Sequence, residues 1–269
     1  MAYWIGRIKF LVPRRLPEMK ANALVCGMCR LEWGWRGARL AAARGDVIAI
    51  VDVLSFSTTA VTAAVRGAHL YPCTDETEAR ERASRHAAEI AVRREDVPAR
   101  GRFSLSPCTY FQCTPVDRVA LPSPNGATCC RLASSSPVVL IGCLLNASAA
   151  ARAASISMSR HDANLTVLAC GEQWPNPSEE GQLRFALEDY LGAGALLSAL
   201  DLPMSPDAQV CRAAFNAVRG KLLEHLSECA SGIELRERGW FKDVQHAAQL
   251  DRYDAIPLLV GDCLAPDAI

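Results

Sequence analysis

Val47-Ile48-Ala49-Ile50-Val51 is an unbroken apolar run, β-branched at all but Ala49, and Asp52 follows it directly. A strand with one wet face alternates apolar and polar residues. A continuous run instead marks a strand buried on both faces, the state of strands in parallel sheets covered by helices. The neighbouring segments fit that frame. Ser57–Arg66 reads as a helix stopped by Gly67, a residue suited to the left-handed position after a helix. Val138–Gly142 and Leu165–Cys170 read as strands with a helix over Ala147–Ala154 between them, and Ala255–Val260 reads as a last strand. Strand-helix alternation predicts an α/β fold, layered α/β/α, with a largely parallel or mixed sheet.

Residues 75–94 predict a helix with Thr74 as N-cap and Asp75 and Glu76 at its positive dipole end. Glu76–Arg80, Glu78–Arg82 and Glu81–Arg85 are i,i+4 pairs, so this helix reads as a solvated face rather than a basic binding surface. Glu188–Leu200 predicts another helix. Asp207–Cys229 predicts a third, capped by Ser205, started by Pro206, carrying apolar residues at Cys211, Phe215, Val218, Leu222 and Leu226, and closed by Ser231-Gly232. No repeat or low-complexity linker divides the chain. The expected organisation is a poorly readable N-terminal segment over 1–45, an α/β domain over 46–262 and a tail over 263–269. The proline-rich stretches 98–124 and 174–177 are candidate borders of a site.

Composition removes several classes of function. The 269 residues carry 29 basic and 29 acidic side chains and 6% aromatics, which leaves neither the charge nor the stacking surface that nucleic acid needs. Leu132–Ala151 holds no charge, but it contains Ser134, Ser135, Ser136, Pro137, Gly142, Asn146 and Ser148, so no membrane span is expected there. The N-terminus scatters basic residues through a short apolar stretch, without a signal peptide's order of charge, core and cleavage site. A cytoplasmic location is expected. The 12 cysteines are too dilute for a small disulfide scaffold and read as buried apolar groups in a reducing compartment.

Counting also excludes familiar motifs. No cysteine has an arginine six residues later, and Gly220-Lys221 is followed by Leu222 inside a helical pattern, so neither phosphate loop is present. Gly192-x-Gly194 lacks the third glycine of a dinucleotide fingerprint and reads as close helix packing. Neither His-Glu-x-x-His nor Gly-x-Ser-x-Gly occurs. Cys26-x-x-Cys29 has no second pair at ribbon spacing, and Cys129-Cys130 are adjacent, which suits tetrahedral zinc badly. His69, His86, His161, His225 and His246 form no cluster, and His86 and His225 fall on the solvated sides of their helices.

What remains is a set of acids, amides and hydroxyls at strand ends. Asp52 follows a buried strand, and Ser55, Ser57, Thr58 and Thr59 surround the next helix start. Strand carboxyl ends form the crevice of such folds, and helix N-termini there offer N–H groups to anions. A carboxylate beside an anion cradle makes sense with a divalent cation between them. The plain alternative is that Asp52 ends a strand while Ser57 and Thr58 cap a helix. Pro122–Thr128 reads as a turn whose Asn125-Gly126 pair commonly takes positive φ. Asn146 lies where strand gives way to helix and serves the site or caps. Glu188 and Asp189 open a helix, either compensating its dipole or facing Asp52.

Taken together, Asp52-Val53-Leu54 with Ser57-Thr58-Thr59, Pro124-Asn125-Gly126, Leu145-Asn146-Ala147 and Leu187-Glu188-Asp189 before Gly192-Ala193-Gly194-Ala195 resemble the 2-phosphosulfolactate phosphatase family. Ser231-Gly232-x-Glu234-Leu235 and Asp243-Val244 fit the same pattern, and the resemblance spans roughly residues 46–262. It implies an α/β fold of its own type and a Mg²⁺-dependent phosphatase that releases phosphate from 2-phospho-3-sulfolactate, a step in coenzyme M synthesis. Leu54 stands where aspartate-nucleophile phosphatases of the dehalogenase type need a second Asp. On this resemblance Asp52, Asn125 and Asn146 are the expected catalytic residues. Ser55, Ser57, Thr58 and Gly126 would bind phosphate, and Asp52 with Glu188 or Asp189 would bind Mg²⁺. Many members carry Arg directly after Asp-Val-Leu, where this chain has Ser55. That departure leaves open a same-fold hydrolase of another phosphorylated acid, or a non-catalytic anion-binding relative. The expected partner is a small anionic phosphorylated substrate, and a homodimer would be unsurprising.

Overall fold

The computed structural model describes residues 27–178 and 181–266. In chain order these form β1 (Cys29–Trp33), α1 (Gly34–Arg44), β2 (Val47–Val51), α2 (Phe56–Val65), β3 (His69–Cys73), α3 (Glu76–His86), β4 (Glu89–Ile90), β5 (Arg118–Pro122), α4 (Gly126–Ala133), β6 (Val139–Ile141) and α5 (Ala147–His161). There follow β7 (Leu165–Ala169), β8 (Glu172–Ser178), β9 (Gly181–Arg184), α6 (Leu187–Ser198), α7 (Pro206–Val218), α8 (Leu222–Glu228), α9 (Ala230–Glu237), α10 (Phe241–Ala247), β10 (Pro257–Val260) and β11 (Cys263–Pro266).

The apolar run that opens the argument is β2, buried at every position. Val47, Ala49 and Val51 face one core, shared with Val167 of β7, Ala150 and Ala154 of α5, Leu191 of α6 and Phe215 of α7. Ile48 and Ile50 face a second core with Ala38 and Ala41 of α1, Phe56 and Ala60 of α2, and Ala127 and Ala133 of α4. Helices therefore cover both faces of β2, and the layered α/β/α class stands.

The sheet is mixed, in the order β1-β7-β2-β6-β10-β11-β3-β5-β4. β1, β7, β2 and β6 are mutually parallel, and so are β3, β5 and β4. Between these groups the antiparallel hairpin β10–β11 pairs antiparallel with β6 on one side and β3 on the other. The second group therefore runs opposite to the first along the ladder. Sheets twist by roughly 20–25° per strand step, and the twist accumulates across the hairpin. Leu70 of β3 and Leu121 of β5 consequently share the second core with β2, and α2 and α4 touch strands of both groups. Asn125 after β5 bonds Glu172 beyond β7, and the Gly126 N–H bonds Asp52 after β2, so the carboxyl ends of β2, β7 and β5 meet.

Several sequence expectations need correction. The helix predicted over 75–94 ends at His86, with Ala87 in the left-handed region, because the chain turns to place Glu89 and Ile90 beside β5. Its N-cap is Asp75, whose side chain accepts from the Glu78 N–H, while Thr74 donates to Glu78. Glu76–Arg80 and Glu78–Arg82 pair as expected, whereas Arg85 reaches Asp262. His86 is not on a solvated side: it bonds Asp262 and stacks on Tyr71. The helix predicted over 207–229 breaks into α7 and α8 at a 3₁₀ turn around Gly220. The apolar spacing hides that break because both halves bury the same side. Ser231-Gly232 begins α9 rather than closing a helix; the Gly232 N–H is held by Cys229 Sγ.

Within 27–45, where the sequence offered little, β1 pairs with β7 and α1 packs on the second core. The expectations on residues 1–26, including Cys26 and the N-terminal targeting reading, lie outside the described residues. The described cysteines are free and mostly buried, and burial pushes thiols such as Cys73 and Cys211 up to about 12, which makes them poor nucleophiles. No described helix is long and apolar enough to cross a membrane.

Candidate active site

Asp52 is the first residue beyond β2, and its position is fixed by the chain folding back on itself. Its N–H donates to Ser57 Oγ at 2.9 Å, and its carbonyl accepts from the Ser57 N–H at 2.7 Å. Ser57 Oγ in turn donates to the Ile50 carbonyl, and Thr58 Oγ1 donates to the Val53 carbonyl at 2.8 Å. These buried hydroxyls shape the loop from within. They are turned toward the backbone, away from the role of phosphate ligands expected of Ser57 and Thr58. The Asp52 carboxylate accepts from the Phe56 N–H, at the start of α2, at 3.1 Å, and also from the Gly126 N–H at the start of α4.

Two helices therefore point their first N–H groups at one carboxylate. The contact depends on Gly126. A Cβ there would lie 2.2 Å from the Phe56 ring, so only glycine lets the two helix starts approach. This corrects the positive-φ expectation for Asn125-Gly126: Asn125 has φ −95° and Gly126 opens α4.

Asp189 ties the strand ends together. Its Oδ1 accepts from the Val53 N–H at 2.7 Å and its Oδ2 from the Gly171 N–H at 2.8 Å, so both oxygens are used by the ends of β2 and β7. Gly192, one turn further along α6, seats the helix against the same strand end, since a Cβ there would lie 2.6 Å from Val53. Gly194 does the same against α7, at 2.6 Å from Phe215, as the close-packing reading of these glycines required.

Glu188 and Glu172 complete an acidic group around Asp52. Burial, then Glu172, pushes Asp52 up to about 7, against the pull of the Phe56 and Gly126 N–H groups, with Glu188 adding to the rise. Burial, then Glu188, raises Glu172, opposed by its bond from Asn125 Nδ2 at 3.0 Å. Asp189 is raised by burial, then Asp52 and Glu188, with the two backbone N–H groups opposing. Asn125 Oδ1 is buried without a hydrogen-bond partner among the described residues. Like charges held this close call for a cation or shared protons.

No group of three His, Cys, Asp or Glu side chains among the described residues is arranged to hold a metal ion by itself. Mg²⁺ does not require one, because it is usually held by one or two carboxylates with waters and substrate phosphate making up the octahedron. The all-oxygen donor set and the unpaired Asn125 Oδ1 fit such an ion.

Asp52, Asn125, Gly126, Glu188 and Asp189 thus come together as the sequence suggested. Asn146 does not join them through its amide. Its Oδ1 accepts from the Cys143 N–H, and its Nδ2 donates to the carbonyls of Ile141 and Ala255. Ser55 sits at the start of α2, where its Oγ accepts from Arg94 Nη2 at 2.6 Å. Sequence reasoning missed Glu172 and Arg94. Glu172 carried the same signal as Asp52, an acid just past a buried strand. Arg94 was hidden by its assignment to a surface helix.

A sequence profile described as 2-phosphosulpholactate phosphatase matches residues 38–262. The chain is 30% identical over 224 residues to a protein named probable 2-phosphosulfolactate phosphatase from Gloeobacter violaceus, covering 79% of this chain and 87% of that one. A relative of the same name from Pseudothermotoga lettingae is 28% identical over 219 residues, covering 80% of this chain and 90% of that protein. With its matched region holding Asp52, Asn125, Glu172 and Glu188, the chain belongs to the 2-phosphosulpholactate phosphatase family, a family of phosphoric monoester hydrolases.

Proposed function

We propose that this chain hydrolyses the phosphate monoester of a small anionic acid, 2-phosphosulfolactate or a close analogue, with Mg²⁺ as cofactor. The observation that carries the reading is Asp52: a buried carboxylate at a strand end, raised to about 7, with Glu172 and Glu188 beside it and two helix starts pointing at it. Asp52 and Glu188 are the residues that would hold Mg²⁺. Bound there, the ion would neutralise phosphoryl oxygens and so lower the cost of the charge that builds during transfer.

The chain's own groups divide the remaining work. Phe56 and Gly126 N–H groups hold Asp52 in place, and Asn125 bridges β5 to Glu172 while leaving its Oδ1 for a ligand. Asp189 locks the ends of β2 and β7, which sets the spacing between Asp52 and Glu172. The site lies under the starts of α2 and α4, whose dipoles favour an anion. Water or a carboxylate attacks phosphorus as the ester bond breaks, and Glu172, raised by burial and not assigned to the ion, is the carboxyl group that would protonate the departing alkoxide.

The test is a phosphate-release screen over small phosphorylated acids, with Mg²⁺ and with EDTA. Release from 2-phosphosulfolactate that EDTA abolishes supports the proposal in full. Release only from a non-sulfonated acid supports a same-fold hydrolase of different specificity. No release from any ester leaves an anion-binding protein.

A further inference from the structure

A cavity of about 710 Å³ is bounded by the turn after β4, by α3 and by Trp240. Its lining includes Arg80, Arg93, Arg94, Arg100 and Arg238, against the acids Glu76, Glu95 and Asp96. Five arginines against three acids give this lining a basic excess in a chain of zero net charge. The acids offset them only weakly. Arg80 and Glu76 are both about 70% exposed, and Arg238 lies 3.7 Å from Glu95 with both half exposed. Exposed pairs of this kind contribute little and exchange readily for a better anion.

Arg94 is held differently. Its Nε donates to buried Asp243 at 3.1 Å, its Nη2 to Ser55 Oγ at 2.6 Å and to the Leu105 carbonyl, and its guanidinium lies 5.4 Å from the centre of the Trp240 ring. Asp243 is itself fixed by Ser106 Oγ at 2.6 Å. These bonds engage Nε and Nη2 and fix the plane of the group, which leaves Nη1 as the donor that a carboxylate or sulfonate in the cavity would meet through a single charge-assisted bond.

The cavity is joined to the acidic site by two chain connections. Ser55, which Arg94 holds, precedes Phe56, whose N–H binds Asp52. Pro122, in the lining, precedes the Ser123-Pro124-Asn125 turn. Pro122 in the lining and Asn125 at the site are three residues apart, so their Cα atoms are separated by at most about 11 Å. A single ligand can span that distance. The volume falls in the range of about 300–1,000 Å³ that encloses drug-sized ligands, well beyond what sulfolactate fills.

We propose that this arginine-lined cavity binds the acid portion of the phosphoester, with Arg94 as a specificity-determining residue, and that the preferred substrate is the phosphate ester of a hydroxy-acid longer than sulfolactate. The inference rests on the phosphatase reading and deepens it. Carboxylate and sulfonate share the chemistry that Arg94 recognises, and the substrate panel separates them.

The experiment compares kcat and KM of the Mg²⁺-supplemented enzyme for phenyl phosphate, 2-phosphosulfolactate and phosphate esters of longer hydroxydicarboxylic acids. Wild type should favour the longer dicarboxylic esters. Arg94→Gln should raise KM for acid-bearing esters by about 10–100-fold, the effect of losing a charge-assisted bond, and by much less for phenyl phosphate. Arg238→Gln, on the exposed rim, should act in the same direction to a smaller degree, and it decides the matter if Arg94→Gln fails to fold. Arg160→Gln, on the far end of α5, should change nothing. Equal losses on every ester, or no loss on any, would overturn the subsite. Calorimetric binding of the phosphate-free dicarboxylic acids separates the two levels. Acid binding that Arg94→Gln abolishes, with no ester hydrolysed, keeps the subsite and refutes the phosphatase reading. Hydrolysis without acid binding refutes the subsite alone.

Discussion

Replacing Asp52 with Asn should make the metal-free protein more stable while abolishing its turnover. The reason lies in what the fold imposes on this carboxylate. In an unfolded chain the group has its ordinary value of 3.8, and in the folded chain burial with Glu172 and Glu188 raises it to about 7. Folding therefore favours the protonated form. Below the unfolded value both states bind the proton and the folded state loses nothing. As pH rises from about 4 to 7 the unfolded state gives up its proton first, and folding stability falls across that window. A difference of about 3 units at about 1.36 kcal/mol each sets an upper limit near 4 kcal/mol above neutral pH. Asn keeps an oxygen acceptor for the Phe56 and Gly126 N–H groups and turns an amide donor toward the remaining acids. A gain of about 2–4 kcal/mol at pH 8, shrinking to near zero at pH 4, is the expected outcome. Urea denaturation in EDTA at several pH values measures it. A gain that is absent at pH 8, or the same at both ends of the range, would refute the account of Asp52 as a destabilised group kept for chemistry.

His246 should show the opposite slope. Burial, then Arg252, lowers it to about 4, with Asp243 opposing, so its neutral form is the folded one; stability is lost as pH falls from about 6.5 toward 4, and His246→Gln should flatten that acid limb by up to about 3 kcal/mol in the same denaturation series. Because Asp52 and His246 act oppositely in overlapping windows, the slope of stability against pH should differ more between the two variants than between either and wild type. Gly126→Ala places a methyl 2.2 Å from the Phe56 ring and should cost about 1–3 kcal/mol together with activity. Phe56→Leu in the same chain should recover part of the stability, as thermal unfolding would report. Asp189→Ala leaves the Val53 and Gly171 N–H groups without their acceptor, and despite relieving a buried acid it should lower stability by about 2 kcal/mol or more; a stabilised variant would show that repulsion, not the two bonds, dominates at this residue.

The elements legible in the sequence were those whose signal is local. β2 announced itself by an apolar run that only double-sided burial explains, and α2 by the glycine that ends it: Gly67 has φ +78° and donates to the Ala64 carbonyl. Ser205 and Pro206 marked the start of α7 because a cap and a first-turn proline act within four residues. What escaped depends on contacts between distant segments. Nothing near Leu70 or Val119 reveals that their strands run opposite to β2, since the reversal is made by the hairpin at the far end of the chain. Arg94 is a similar case. It meets Ser55 across 39 residues and Asp243 across 149, and its charge looked like more of the Glu/Arg surface pattern that precedes it.

The acidic site divided along the same line. Asp52 was legible because it follows a buried strand directly, and Glu188-Asp189 because paired acids at a helix start ask for a reason. The roles of the hydroxyls were not. Ser57 and Thr58 read as helix caps or phosphate ligands, but Thr58 satisfies the Val53 carbonyl, which a tight strand-to-helix turn would otherwise strand in a dry core, and Ser57 adds a second bond to the Ile50 carbonyl that the Gly142 N–H already holds. Buried backbone groups have first claim on nearby side chains, and that demand is invisible until the turn is seen.

The central claim is that Asp52, among Glu172 and Glu188, is where phosphate is released. Phosphate release from 2-phosphosulfolactate and from longer phosphorylated hydroxy-acids, measured for wild type and Asp52→Asn with Mg²⁺ and with EDTA, tests it most directly. Release by wild type that EDTA abolishes and Asp52→Asn lacks, in a variant that remains folded, is the predicted result. Undiminished release by folded Asp52→Asn would contradict it.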